Sequence, residues 1–337
     1  MKHPQRIGLY LWPTPEHDGG FERAIWADEQ GYDDIWFPDG DGMKDALTFA
    51  ATVAPVTKRI RLCTGVTPVF TRPPAILATS SIAINHVAPE RFVLGLGSST
   101  EAMVNNWYGG HFEKPVTAVR EAVELTRHIL EGGKTNHEGK VFRSRGFRLK
   151  EKVQGHIPIH LGAMGPKMIQ LAGELADGIV LNNFTPVQRM EQMLENLDIG
   201  AKRAGRRAED VEVVVRLALI VTDKPKDALE YFRNEVSFYG STKIYQQIYD
   251  LCGWGKVAKA IDEGFKVRDR KKIMAAIPDE MVEYFFTWGD AAHCGEKIRA
   301  FFKAGANTVI ASPSSPDQAE FNMACEAFTP ANFKLAS

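Results

Sequence analysis

The feature that most limits how this chain can fold is one pattern, repeated. Short apolar runs alternate with stretches of helical apolar spacing from one end of the sequence to the other. The runs are Arg6–Leu11, 34–37 (Asp-Ile-Trp-Phe), Ile60–Val66, Arg91–Leu96, a run opening at Ile157, 179–181, Val211–Val221 and Asn307–Ala311. Such short, continuous runs suit strands buried on both faces. The intervening stretches 20–30, 45–54, 73–87, 116–130, 166–176, 186–203, 224–238 and 291–304 space their apolar residues three and four apart, and 318–328 adds a closing helix. Strand–helix alternation calls for a parallel sheet covered by helices. Eight strands in 337 residues favour an α/β fold closed as a single (β/α)8 TIM barrel over residues 1–337. A doubly wound open sheet is the alternative, but no Pro/Ser-rich linker divides the chain.

Three stretches break the alternation. They are 100–115, 139–149 and 240–286, the last an irregular insert with helical pieces. On a barrel they belong at the rim, where they shape a pocket. Residues 139–149 alternate around Gly146 and predict a hairpin.

Charge and cysteine use narrow the partners. The formal net charge is -1, which gives no support for nucleic acid or a membrane surface as the main partner. Strand-like sequence begins at Arg6 with no apolar leader before it, and no run approaches membrane-span length. Cys63, Cys252, Cys294 and Cys325 are widely spaced, which argues for a reducing cytoplasm and against a disulfide frame or zinc site. Asn183-Phe-Thr fits a glycosylation triplet and reads as chance in that setting.

In a barrel, chemistry gathers where strands end. Four strand ends stand out. Trp36-Phe-Pro-Asp39-Gly-Asp41-Gly brings two carboxylates, suited to ligand contact or acid–base work or simply to turn formation. Thr64-Gly65-Val66-Thr67-Pro68 suggests a bulge. Gly95-Leu-Gly97-Ser98-Ser99-Thr100-Glu101 lacks the third glycine of a dinucleotide fingerprint and leaves a loop with hydroxyls and one carboxylate. Gly162-Ala-Met-Gly165-Pro166-Lys167-Met168 opens a helix with glycine at the N-cap and proline at the first position, beside a lysine. A helix start of that kind offers free N–H groups to an anion. His160 reads as a barrel-interior histidine. Trp254, Tyr284 and Trp288 in the late insert line a pocket or pack a core. No HExxH, GxSxG, Walker A or clustered metal-ligand pattern is present.

These four strand ends, in this order, resemble the bacterial luciferase-like superfamily. More narrowly they are similar to its coenzyme F420-dependent oxidoreductases of the methylenetetrahydromethanopterin reductase pattern. The most specific stretches are Thr64-Gly-Val-Thr-Pro-Val-Phe-Thr-Arg-Pro-Pro, Arg91-Phe-Val-Leu-Gly-Leu-Gly-Ser and Gly162-Ala-Met-Gly-Pro-Lys-Met, the last running on to Ala-Asp-Gly. The resemblance implies a deazaflavin (FMN being the alternative) lying across strands 2–4, with its phosphate at the Gly165–Met168 helix start. It implies a cis peptide at Gly65–Val66 against the ring, Asp39 near the ring and Glu101 as an acidic residue on the substrate side. Asp39 and Glu101 are then the catalytic candidates. Asp39, Thr64, Gly65, Val66, Gly97, Ser98, Gly162, Gly165, Pro166, Lys167 and Met168 are the cofactor contacts, and no metal is expected. It also implies a homodimer acting on a small molecule by hydride transfer at the deazaflavin C5. One departure matters. The sugar-phosphate and alcohol dehydrogenases of the branch follow the aspartate with a catalytic histidine, whereas this chain has Gly40. A reductase-type substrate fits that absence better than an alcohol. A flavin monooxygenase and a non-catalytic cofactor-binding protein are the other readings.

Overall fold

The computed structural model describes residues 3–12, 20–40 and 42–335. Eight strands form a ring: β1 (Arg6–Tyr10), β2 (Asp34–Phe37), β3 (Arg61–Thr64), β4 (Phe92–Gly97), β5 (Ile159–Ala163), β6 (Gly178–Leu181), β7 (Glu212–Val221) and β8 (Thr308–Pro313). Each pairs in parallel with the next, and β8 returns to β1 with Thr308 opposite Arg6. The ring is closed, so the open-sheet alternative is excluded and the fold is a (β/α)8 barrel. Two short strands extend the sheet, Thr67–Pro68 beside β4 and Thr287–Gly289 beside β7.

The strand sequences explain the two layers of core. Successive side chains point to opposite faces. Outward residues such as Leu9, Ile35, Leu62, Leu94, Leu161, Ile179, Val213 and Val309 pack beneath the helices. Inward residues Tyr10, Trp36, Cys63, Val93, Val180, Val214 and Ile310 fill the barrel. Both faces are therefore apolar, which is why the strands read as continuous runs.

At the N-terminal end the barrel is plugged by charge. Arg61, the first residue of β3, donates to Asp34 at 2.5 and 2.6 Å and to both oxygens of Glu212 at 2.9 and 3.0 Å. Thr308 Oγ1 donates to Glu212 at 2.6 Å, and His160 Nε2 lies 3.7 Å from the same carboxylate. Burial pushes the Glu212 carboxyl up, but Arg61, His160 and Thr308 outweigh it and hold the group far below the usual range. Burial drives the buried His160 imidazole down, the charge of Glu212 opposing it. His160 is thus an interior residue, as expected.

The stretches between strands differ from expectation in instructive ways. The hairpin pairs Asn136–Glu138 with Arg143–Arg145, further upstream than 139–149. Its turn is held by Glu121, whose carboxylate accepts from the N–H groups of Lys140, Val141 and Phe142 at 2.7–2.9 Å. Residues 240–286 are helical rather than irregular. Helices Lys243–Leu251, Gly255–Lys266, Arg270–Ala276 and Asp279–Phe285 follow the helix Pro225–Gly240. They share an aromatic core with Ala218 and Ile220 of β7. At its centre is Phe184, with Tyr239, Tyr245, Tyr249, Phe285 and Phe286 at ring separations of 5.0–5.7 Å. Asn183 and Thr185 flank it and are buried, so that triplet serves packing. Because Ala218 and Ile220 lie on the inner face of β7, this helical group walls one side of the barrel's C-terminal mouth.

Candidate active site

The centre of the mouth is built at the end of β3. The Gly65–Val66 peptide is cis. Gly65 N–H donates to Phe37 O at 2.8 Å, and Gly65 O accepts from Tyr10 Oη at 3.0 Å. Thr64 is fully buried beneath, its hydroxyl donating to Gly95 O at 2.8 Å and accepting from Gly95 N–H at 2.9 Å. A Cβ on Gly95 would fall 1.8 Å from Thr64 O. One on Gly97 would fall 2.5 Å from Val66 Cγ2, and one on Gly162 2.9 Å from the same atom. The three bare positions on β4 and β5 are what let the chain bulge here. This revises part of the sequence reading. The Thr64 side chain belongs to the scaffold and has no hydroxyl left for a ligand. Gly97 and Gly162 act by admitting Val66.

Asp39, at the end of β2, is a paired carboxylate. Arg72 Nη1 donates to its Oδ2 at 2.8 Å and Nη2 to its Oδ1 at 3.2 Å, a two-pronged grip. Arg72 also donates to Asp45, whose other oxygen caps the helix Ala46–Val53 by accepting from Thr48 N–H at 2.7 Å. Burial raises the Asp45 carboxyl, but Thr48 and Arg72 outweigh it and hold it below its usual value. Asp39, Asp45, Pro68, Thr71, Arg72 and Tyr108 line a cavity of about 230 Å³. The companion carboxylate Asp41 lies outside the described residues.

Gly40 has φ +143°, and a Cβ there would meet Met103 Cε at 2.3 Å. The positive φ favours glycine here, whereas the methionine contact is with the terminal methyl of a flexible side chain, which can swing aside. Ser99 Oγ lies 3.2 Å from Met103 Sδ. Met103 begins a wide π-type turn, Met103–Trp107. Glu101 precedes it and is exposed, and Ser98 Oγ donates to Ser99 O at 3.3 Å.

At the end of β5, Gly165 caps the helix Pro166–Leu175 in extended conformation with no side-chain cap. Met168 and Ile169 N–H donate to Gly165 O at 3.0 and 3.1 Å. Met168 is therefore not the free donor that the sequence suggested, because the first turn has tightened onto its own carbonyl. Pro166 has no N–H, so it contributes conformation only. Gly165 and Lys167 keep N–H groups without an acceptor among the described residues, and nothing lies within 4 Å of where a Gly165 Cβ would be. The Lys167 side chain is exposed.

Sequence reasoning missed Arg72, Asp45, Met103 and Tyr108. Arg72 stood inside a quoted motif, but only the fold brings it to Asp39, 33 residues away.

A family model described as luciferase-like monooxygenase matches residues 15–308. The chain belongs to this family. Among luciferase-like relatives, it is 33% identical over 298 residues to a 5,10-methylenetetrahydromethanopterin reductase of Archaeoglobus fulgidus, covering 87% of this chain and 89% of the relative. It is 30% identical over 301 residues to the enzyme of that name from Methanolobus tindarius, covering 88% and 90%. The solved structure of the coenzyme F420 dependent tetrahydromethanopterin reductase from Methanopyrus kandleri superposes with TM-score 0.77 at 25% identity, covering 98% of this chain and 100% of that one. The luciferase-like relatives so named are oxidoreductases.

Proposed function

We propose that this protein is a coenzyme F420-dependent oxidoreductase of the reductase type, with all of 1–337 working as one barrel domain and its helical insert. The observation that carries the reading is the likeness, over most of both chains, to relatives named methylenetetrahydromethanopterin reductase. The residues at the barrel mouth fit such a cofactor. Gly65 and Val66 offer a partly exposed, apolar bulge on which a flat ring can rest. The free N–H groups of Gly165 and Lys167 suit a phosphate, with Lys167 adding charge. When bound, the deazaflavin supplies a hydride at its C5.

The chain's own part is orientation and proton handling. Arg72 fixes Asp39 in one orientation beside the ring position. Glu101, exposed on the β4 side, holds or releases a proton at its carboxylate for the substrate. Gly40 supports a reductase over an alcohol dehydrogenase, since no histidine follows Asp39. Four free cysteines suit a reducing cytoplasm. The reading includes a homodimer, which light scattering on the purified protein tests.

The test is anaerobic turnover. Reduced F420 with methylenetetrahydromethanopterin should regain the absorbance of the oxidised cofactor, and oxidised F420 with 2-propanol or glucose 6-phosphate should not lose it. Turnover confined to the alcohol or sugar phosphate would sink the reductase reading. Glu101→Gln should lower turnover about a hundredfold with cofactor affinity unchanged. Equal turnover in both proteins would remove Glu101 from the mechanism.

A further inference from the structure

The N-terminal end of the barrel, opposite the mouth, carries a basic surface that chemistry at the mouth does not use. The hairpin Asn136–Glu138 with Arg143–Arg145 lies on the connection from the helix Pro115–Leu130 to the start of β5, and so belongs to that end. Residues 134–152 hold seven Lys and Arg against two Glu, in a chain whose formal total is -1. All seven cations are exposed. Phe142, Phe147 and Leu149 pin the segment to the body of the protein and leave the charges facing water. Arg145 pairs with Glu138 at 2.9 Å, and Arg148 Nε donates to Gly132 O at 2.9 Å. Lys134, Lys140, Arg143, Lys150 and Lys152 have no carboxylate partner among the described residues. Like charges gathered on so short a segment repel one another, and an anionic partner relieves that repulsion.

A cavity of about 280 Å³ opens beside these cations, with Lys152 in its wall and with Gly132, the acceptor of Arg148, at its edge. Leu130, Val153, Ile157 and Ile159 make its apolar side. Its other cations are already engaged. Arg127 Nη2 donates to Asp177 Oδ2 at 2.8 Å, and His156 Nε2 lies 3.3 Å from Asp177 Oδ1. Ile159 N–H donates to the same carboxylate at 2.8 Å, so this wall is formed and paired without a ligand. The result is an apolar recess with room for one bulky side chain, bordered by cations that have no partner of their own.

We propose that this end of the barrel docks an acidic segment of a partner protein, one bulky apolar side chain entering the cavity and its flanking carboxylates meeting the cations of 134–152. An apolar anchor in a pocket supplies most of the affinity of such a contact, and the charges around it supply rate and orientation. A nucleic acid fits less well, because no aromatic side chain lines the cavity for a base to stack on, and Glu131 in the lining repels phosphate. An anionic membrane fits less well, because no large apolar residue between 131 and 156 is exposed to enter lipid. Docking here leaves the mouth open to cofactor and substrate.

Fluorescence anisotropy at low ionic strength tests this on the full-length protein. The probes are a labelled peptide of six glutamates around one phenylalanine, the same peptide with serine in place of the phenylalanine, and a labelled DNA duplex. Co-sedimentation with vesicles of phosphatidylserine and phosphatidylcholine is run beside them. The phenylalanine peptide should bind about tenfold more tightly than the serine peptide, and more tightly than the duplex or the vesicles. Arg143→Glu, Lys150→Glu and Lys152→Glu combined should weaken both peptides about tenfold while keeping the wild-type melting profile, since all three side chains are exposed. Val153→Phe, which fills the cavity, should erase the preference for phenylalanine. Equal affinity for the two peptides, unchanged peptide affinity in the triple variant, or tighter binding of the duplex or the vesicles would overturn the proposal.

Discussion

The two ends of this barrel use the same residue types to opposite effect. At the N-terminal end, Arg61 is shared between Asp34 and Glu212, and each of these three charged groups has its partner. At the C-terminal end, Arg72 grips Asp39 at the wall of an open cavity, and Arg216 of β7, stacked on Tyr10, keeps its terminal nitrogens without an acceptor among the described residues. A closed network deep in a barrel resists opening, because removing one member strands a buried charge. A half-satisfied network at the mouth contributes less to stability and leaves hydrogen-bonding capacity for a ligand. The lesson is that charge alone does not mark a site in this fold. What marks it is the strand end on which the charge sits, and whether its partners are complete.

Arg61→Ala should be the harshest way to probe that contrast. It leaves Asp34 and Glu212 buried without their cation, and a loss of about 3–5 kcal/mol in urea unfolding is expected, with cofactor affinity of the folded protein unchanged. Gly97→Ala falls between the two classes. Its new methyl would press on Val66, costing about 1–3 kcal/mol and weakening cofactor binding by moving the bulge. Wild-type values for both quantities would show that the bulge tolerates displacement.

Arg72→Ala should do the reverse of Arg61→Ala. Stability falls by less, about 2 kcal/mol, because water in the cavity reaches the Asp39 carboxylate left behind, while cofactor affinity drops about tenfold as Asp39 loses its fixed orientation. Equal stability losses in the two arginine variants would break the distinction between the barrel's ends.

The smallest effect is on acid stability. Glu212 titrates far lower in the folded chain than its ordinary 4.5, so the folded state binds fewer protons there than the unfolded state. Its contribution is complete above pH 4.5 and declines as pH falls below it. A melting series from pH 6 to pH 3 should show a steeper decline for wild type than for Glu212→Gln. Parallel curves would mean that the plug is not ionised as drawn.

Much of this was legible in the sequence, for a physical reason. Strands buried on both faces cannot hide their composition, so all eight were found in order. Strand ends were less exact where the chain does something non-repetitive. The run Ile60–Val66 continues past the true end of β3 at Thr64, because the apolar residues beyond it form the bulge. The hairpin was set too far downstream because Glu121, which fixes its turn, is on a helix some twenty residues earlier. The insert reads as irregular because its helices are short and interrupted at Gly253, Arg268 and Pro278, and because their common core is an aromatic cluster on Phe184. Candidate site positions came from local motifs and resemblance. Their duties depend on distant partners. Thr64 is consumed by Gly95, Asp39 is held by Arg72, and Met168 turns onto Gly165.

The central claim is that this barrel mouth is built for a deazaflavin. Fluorescence titration of the purified full-length protein with oxidised F420, repeated with FMN under the same buffer and temperature, tests it most directly. The account predicts saturable binding of F420 that excess FMN does not displace. Saturable binding of FMN with none of F420 would contradict it.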